Sequence, residues 1–384
     1  MRHELMITDL RVKRTRRGPR LATAAITLAM LAMPVLASAQ GAGSHPRPAG
    51  GSTQGAKPIP HPDADMQMVL DALAGLMPKP IPTLTAEEAR RQPSFADALK
   101  RVAAQQGHDT TQAGMVPGVR SEDRAIEGPA GPIPVRVYTP ANAPARGAGL
   151  PIIVYYHGGG WVIATVDTYD ASARTLAKRT GAVVVAVEYR KAPEAKFPAQ
   201  QDDALASYRY VTQHARDFGG DGRRFALAGE SAGGGLVIST VVAARDAHLP
   251  MPRHVLSVYP IAQGDTTTPS YLENANALPL SRGAMSWFLE KTTRTPADRR
   301  DPRLDVTRAN LRGLPPVTII NDQIDPLRDD GLLLERALRA AGVPVERRVY
   351  DGVTHEFFGM GVVVHKADEA EQYATQRLRQ AFGK

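Results

Sequence analysis

The stretch Phe225-Ala226-Leu227-Ala228-Gly229-Glu230-Ser231-Ala232-Gly233-Gly234-Gly235 decides the fold of this chain. Phe225 to Ala228 is an apolar run of the length expected for a strand buried on both faces. The run Ala232-Gly233-Gly234-Gly235 opens a helical pattern that continues to Ala247. Ser231 therefore falls on a sharp turn between strand and helix. The flanking Gly229 and Gly233 let the two elements pass close to that turn without a Cβ clash. Such a turn exposes a hydroxyl at the end of a strand, where a neighbouring base can activate it as a nucleophile.

The same alternation extends on both sides. Strands are predicted at Pro134–Tyr138, Ile152–Tyr156, Ala182–Val187, Val255–Tyr259, Val317–Ile320 and Val345–Tyr350. Helical patterns lie between or after them, at Asp202–Arg216, Asp330–Ala341 and Ala367–Phe382. Buried strands alternating with helices define an α/β chain whose mostly parallel sheet carries helices on both faces. Residues 264–303 interrupt the rhythm with a short helical pattern at Met285–Leu289, as an insertion between strands does. Residues 65–115 precede the sheet. They predict a helix around Met68–Met77 stopped by Pro78, a second opened by Thr85-Ala86-Glu87-Glu88, and a third at Phe95–Val102. With the insertion, they are expected to form a helical cap over a catalytic domain spanning 116–384, the alternative being that they pad the back of that domain.

The N-terminus carries a different message. Six basic residues from Arg11 to Arg20 precede the apolar run Leu21–Met33, and Ala37-Ser38-Ala39 supplies small residues for cleavage. Residues 1–39 read as an export signal cut after Ala39, too short in its apolar part to span a bilayer as an anchor. Residues 40–64, rich in Gly, Ser, Pro and Gln, follow as a flexible leader. The formal charge of +8 changes accordingly, because residues 1–39 hold seven Lys/Arg against two Asp/Glu and leave +3 on the rest. No basic run interleaved with aromatics argues for nucleic acid as a partner. A chain without Cys cannot depend on disulfides, so a periplasmic or secreted protein of this kind must hold by its core. Nothing in the sequence demands a homodimer or excludes one.

Two more segments carry chemistry. Asp325-Pro326-Leu327-Arg328-Asp329 and Gly352-Val353-Thr354-His355-Glu356-Phe357 follow the last two predicted strands. They supply a carboxylate and an imidazole after the serine, and Ser…Asp…His is the triad order of α/β-hydrolase folds. Pro326 biases Asp325 toward extended backbone, which favours it over Asp322, Asp329 and Asp330 as the acid; Asp329 reads as a cap of the next helix. His365 lacks the surrounding pattern of His355 and reads as a helix-start residue. His157-Gly158-Gly159-Gly160-Trp161 follows the strand ending at Tyr156, where turned backbone N–H groups can hold an oxyanion. His157 reads as a residue that orients this loop, and Trp161 either as a wall of the substrate pocket or as a buried structural residue. No metal-ligand spacing and no dinucleotide fingerprint is present, so no metal or cofactor is expected.

These segments, with Tyr189-Arg190-Lys191-Ala192-Pro193-Glu194 and Phe197-Pro198-Ala199 between them, resemble the hormone-sensitive-lipase-like family of bacterial carboxylesterases. The resemblance covers about residues 115–380. It implies an α/β-hydrolase fold with a helical cap, Ser231 as nucleophile, His355 as base and Asp325 as the residue orienting His355. It also implies oxyanion N–H groups from Gly159, Gly160 and Ala232, and a small-molecule ester of short-to-medium acyl length as substrate. Three positions depart from the usual pattern: Gly235 stands for Asn, Asp330 for Glu and Ala164 for Gly. An amidase, a lactonase or a hydrolase of aromatic or carbamate esters would use the same triad. A non-catalytic binding module on this fold would be expected to have lost the serine or the histidine, and both are present.

Overall fold

A computed structural model describes residues 60–143 and 149–384. The export signal expected at 1–39 and most of the expected leader lie outside these residues. Eight strands form one sheet in the order β1-β2-β4-β3-β5-β6-β7-β8. They are β1 (Val119–Ile126), β2 (Ile133–Pro140), β3 (Leu150–Tyr156), β4 (Val183–Val187), β5 (Gly220–Glu230), β6 (His254–Val258), β7 (Val317–Ile324) and β8 (Val345–Thr354). From β4 to β8 every neighbouring pair is parallel, while β1 and β2 join antiparallel at one edge.

The central strands are apolar on both sides because both faces are covered. Ile152, Val154 and Tyr156 of β3 enter one core, and Ile153 and Tyr155 enter the other. On the first face lie α6 (Ala199–Gln213), α7 (Ala232–Asp246) and α10 (Arg328–Ala340), through residues such as Tyr208, Leu236, Val241 and Leu334. On the second lie α5 (Asp170–Thr180) and α11 (His365–Ala381), through Ala173, Leu176, Ala374 and Leu378.

The chain before the sheet forms α1 (Ala64–Ala74), α2 (Ala86–Arg90), α3 (Phe95–Gln105) and α4 (Gln112–Met115). A reciprocal capping box between Thr85 and Glu88 starts α2, as the sequence predicts. Met66, Val69, Leu99 and Val102 of α1 and α3 join the core on the α5 and α11 side. The Pro-rich stretch between α1 and α2 instead meets the insertion after β6, where α8 (Pro269–Glu273) and α9 (Arg282–Thr292) lie. Trp287 Nε1 donates to the Leu84 carbonyl at 3.1 Å and joins the two pieces. Arg90 fastens the same region below, donating to Val162 O (2.8 Å), Ala192 O (2.7 Å) and both oxygens of Glu194 (2.9 and 2.7 Å).

Strand order also locates the site. The chain runs from β3 outward to β4, then crosses back and continues from β5 through β8 in the other direction. The crevice between the carboxyl ends of β3 and β5 is therefore the topological switch point, where open α/β sheets hold their ligands.

Candidate active site

Ser231 sits at that switch point, between the last residue of β5 and the first of α7. Its backbone has φ 55° and ψ −116°, a conformation that L-residues rarely adopt. Neighbours on several elements hold it there. Ser231 N donates to Val258 O (2.9 Å), and its carbonyl accepts from Ile261 N (3.0 Å) and Gly235 N (3.2 Å). Strain of this kind persists only where surrounding contacts over-determine it. The two motif glycines are required by closeness: a Cβ on Gly233 would lie 2.0 Å from Tyr156 O, and one on Gly229 would lie 2.3 Å from Gly233 O. A Cβ on Gly235, the position at which the resemblance leads one to expect Asn, would lie 2.3 Å from Ile261 O, so this backbone has no room for the larger residue.

His355 follows β8, and its Nε2 lies 3.0 Å from Ser231 Oγ. Its Nδ1 lies 2.9 Å from Asp325 Oδ2, in the loop after β7. A carboxylate can only accept, so Nδ1 carries the proton and the Nε2 lone pair faces the serine hydroxyl. Burial of the imidazole disfavours its charged form, but the Asp325 carboxylate and its hydrogen bond outweigh this, helped by Glu356 and Glu230; the net shift is upward from 6.5. Asp325 is itself anchored. Oδ1 accepts from Leu327 N (2.9 Å), and Asn274 Nδ2 from the insertion donates to its carbonyl (3.2 Å).

The insertion thus supports the acid loop as well as covering the cleft. Ser270 on α8 donates to Pro326 O (2.5 Å) and accepts from Asp329 N (3.1 Å), and its own N–H goes to Asp329 Oδ2 (2.9 Å). Asp329 is therefore not the helix cap the sequence predicts. Leu327 occupies the cap position, and Asp329 lies in the first turn with its carboxylate turned to Ser270. Asp330 is fully buried and accepts from Ala262 N (3.0 Å) and Gln263 Nε2 (2.7 Å), leaving it no reach to His355. His365 is exposed at the start of α11, its Nδ1 3.3 Å from Glu369 Oε1.

The Gly-rich turn after β3 closes the other side. Gly159 (φ 89°) and Gly160 (φ 59°) both adopt left-handed backbone. A Cβ on Gly159 would lie 2.3 Å from Ile163 O, and one on Gly160 2.3 Å from the Phe288 ring. Among the described residues neither N–H donates to a protein acceptor, nor does that of Ala232 at the start of α7. His157 serves this turn from beneath. It is fully buried, its Nδ1 meets Gly158 O at 2.8 Å, and its ring stacks on Tyr189 with centroids 4.4 Å apart. Tyr189 OH in turn donates to His157 O (2.8 Å) and Gly158 O (3.1 Å).

Trp161, expected as a substrate-binding wall or else as a buried structural residue, is the second and not the first: its side chain is 1% exposed, lies in the hydrophobic core and does not border the cleft. Left-handed backbone at Trp161 (φ 63°) belongs to the turn that carries Gly159 and Gly160. Phe288 of α9 takes the aromatic position instead.

The cleft itself has a volume of about 310 Å³. Ser231, His355, Gly159 and Gly160 form its floor, Pro80, Ile81 and Phe95 one wall, and Leu280, Met285 and Phe288 the other. Sequence reasoning missed a set of acids behind this floor. Glu230 accepts from the hydroxyls of Tyr155 and Tyr259, each at 2.5 Å, and burial pushes its carboxyl up to about 8. Glu356 takes Tyr169 OH at 2.7 Å on both oxygens and lies 3.9 Å from His355 Nε2; burial, opposed by His355 and by that hydrogen bond, pushes it up to about 7. The only sequence signal was adjacency, since one acid precedes Ser231 and the other follows His355.

A strained serine on a strand–helix turn, an imidazole 3.0 Å from it and a ring of free N–H groups form an arrangement able to transfer an acyl group. Comparison with known proteins agrees. A family model of the alpha/beta hydrolase fold matches residues 153–359. Esterase LipI of Mycobacterium tuberculosis is 38% identical over 292 residues, which is 74% of this chain and 89% of the relative. An ethyl acetate hydrolase of Pseudomonas putida is 33% identical over 305 residues, 78% of this chain and 92% of that protein. Among solved structures, a thermostable esterase from Pseudomonas putida superposes with a TM-score of 0.74 at 30% identity, covering 84% of this chain and 98% of that one. An esterase of the archaeon Pyrobaculum calidifontis gives 0.73 at 31% identity, covering 84% and 99%. The chain belongs to the hormone-sensitive-lipase-like carboxylesterases of the alpha/beta hydrolase fold. It is a carboxylic ester hydrolase acting on small-molecule esters.

Proposed function

We propose that the chain hydrolyses short-to-medium acyl esters through an acyl-enzyme on Ser231, with His355 as base and Asp325 holding His355 in place. His355 Nε2 takes the Ser231 proton as Oγ attacks the ester carbonyl, and the oxygen gains negative charge facing the N–H groups of Gly159, Gly160 and Ala232. The imidazolium then gives that proton to the departing alkoxide, which leaves as alcohol. Water attacks the acyl-enzyme by the same route: its proton passes to Nε2, and Ser231 leaves with that proton restored. General-base help contributes about 10²–10⁴ in rate. Each oxyanion donor contributes about 2.7–4 kcal/mol.

The observation that carries the reading is the line Asp325–His355–Ser231, with contacts of 2.9 and 3.0 Å, opening into the cleft beside unpaired N–H groups. A cleft of about 310 Å³ stands at the small end of the usual 300–1,000 Å³ for ligand sites, which supports small acyl groups. Proline-rich and aromatic walls leave little freedom to widen it. Turnover of p-nitrophenyl esters of increasing acyl length tests both parts. Activity should fall beyond medium chains and vanish in Ser231→Ala; full activity in that variant would overturn the assignment. Residues 1–39 support export with a cut after Ala39, and N-terminal sequencing of protein from the periplasm and the medium should find a chain beginning at Gln40.

A further inference from the structure

We propose that Asp322 is a positioning residue for ester hydrolysis: as a neutral acid it donates a hydrogen bond to the Asp325 carboxylate and extends the line to Asp322–Asp325–His355–Ser231. The proposal rests on the reading of the last three as the triad.

Asp322 lies on β7, three residues before Asp325, on the face opposite Asn321. Asn321 Oδ1 accepts from Arg347 Nη1 (3.3 Å). Asp322 has no such cation. It is fully buried, and neither carboxyl oxygen has a hydrogen-bond donor among the described residues. An ionised carboxylate left in that state would forfeit its hydration for nothing, a cost of several kcal/mol. Buried groups of this kind neutralise instead. A neutral acid, however, brings an O–H that needs an acceptor.

The acceptor is at hand. One oxygen of Asp322, one of Asp325 and a ring nitrogen of His355 lie within 4.8 Å of one another. Among the described residues this is the grouping close enough to ligate a metal, but both His355 nitrogens are engaged, by Asp325 and by Ser231. Two adjacent buried carboxyls hold one proton between them. Donors decide which one keeps it. Asp325 receives Leu327 N and His355 Nδ1, each at 2.9 Å, and still has lone pairs to spare, whereas Asp322 receives none. The proton therefore stays on Asp322. Burial, then the charge of Asp325 and the hydrogen bond between the two, outweigh the residue's own backbone N–H and hold the Asp322 acid well above the ordinary carboxyl range in agreement. Other ionisable groups facing the pair are His355 and Glu356 after β8, Asp330 of α10 and Tyr271 of α8, with Glu230 from β5 beyond them.

Such a hydrogen bond adds a third donor to Asp325 without adding charge. It fixes the carboxylate against rotation, so Oδ2 stays aimed at Nδ1. It also draws electron density from that carboxylate, which moderates its pull on the imidazolium proton.

The test compares Asp322→Ala and Asp322→Asn in the whole protein, with p-nitrophenyl acetate as substrate. Asp322→Ala removes the donor and should lower kcat about 10–100-fold, the range for hydrogen bonds to charged groups, with KM unchanged. Its acid limb of kcat/KM should move to higher pH, because Asp325 then acts on His355 undiminished. Asp322→Asn supplies an amide N–H of the same reach and should restore both kcat and the acid limb. Wild-type kcat in a folded Asp322→Ala protein would overturn the proposal. So would an acid limb in Asp322→Asn displaced downward by more than about half a pH unit, since only the loss of a real negative charge beside His355 does that. If Asp322→Ala does not fold, the pH profile of Asp322→Asn decides alone. Failure of the triad reading would show separately, as activity retained in Ser231→Ala.

Discussion

Replacing Gly160 with alanine sets the ground state of this protein against its transition state. The new Cβ would lie 2.3 Å from Cγ, 2.4 Å from Cδ1 and 2.7 Å from Cδ2 of Phe288, and the backbone there has φ 59°. Phe288 is buried and meets Trp287 edge-on with centroids 5.3 Å apart, so the ring has little room to withdraw. Left-handed backbone costs an L-residue about 1–2 kcal/mol. Overpacking adds about 1–3 kcal/mol. Held in place, the turn would lose about 2–5 kcal/mol by these two effects. A rotated turn escapes most of that strain but carries the Gly160 N–H away from the oxyanion, which costs about 2.7–4 kcal/mol in the transition state, or 10²–10³ in kcat. Only the first cost acts on the resting protein, so the turn should rotate.

Stopped-flow turnover of p-nitrophenyl acetate, with active sites counted by the initial burst, should give a kcat lowered about 100- to 1,000-fold. KM should stay within about threefold, because the cleft walls are untouched. Adding Phe288→Ala should recover part of the loss by freeing space beside the new methyl. A folded Gly160→Ala enzyme with kcat within about threefold of the parent would refute the oxyanion role of this N–H.

Further outcomes are expected. The imidazole of His355 is held above its ordinary value and must be neutral to act, so kcat/KM should rise with pH through a midpoint above 6.5; a midpoint below 6.5 contradicts the electrostatics. Glu356→Gln removes a carboxyl 3.9 Å from Nε2 that ionises at about 7 and then favours the imidazolium, so that limb should move to lower pH, which a pH–rate series reads directly. Glu230, pushed up to about 8, favours the folded state fully below its ordinary 4.5 and loses that contribution as pH climbs through 8. Melting temperature should therefore depend less on pH between 4.5 and 8 in Glu230→Gln than in the parent, and an unchanged slope would count against a neutral Glu230. Ala164→Gly relieves left-handed backbone at φ 63°. Relief of about 1–2 kcal/mol against about 0.5–1 kcal/mol of added chain entropy leaves a small net gain, visible as a raised melting temperature.

The serine turn, the buried strands and the order Ser231, Asp325, His355 were legible in the sequence because each is a local pattern. A strand buried on both faces must be apolar throughout, and a tight strand–helix turn must have glycine where backbones touch. What the sequence could not show depends on neighbours distant along the chain. Strand β1 was missed because it is an edge, with a polar interior and only its ends buried. Helix α5 was missed because it buries polar side chains: Asp170 and Arg174 satisfy each other, with Tyr138 and the Val119 carbonyl completing the set. Trp161 gave no sign of whether it faced the cleft or the core, since one turn of backbone decides it. Asp322 could be weighed only as a rival to Asp325. Whether a carboxyl is ionised depends on which donors reach it, and the register of β7 against β8 together with the loops beyond them sets that reach. Sequence alone determined the chemistry on offer; tertiary packing decided which acids keep their protons, which glycines cannot change and how large an ester the cleft admits.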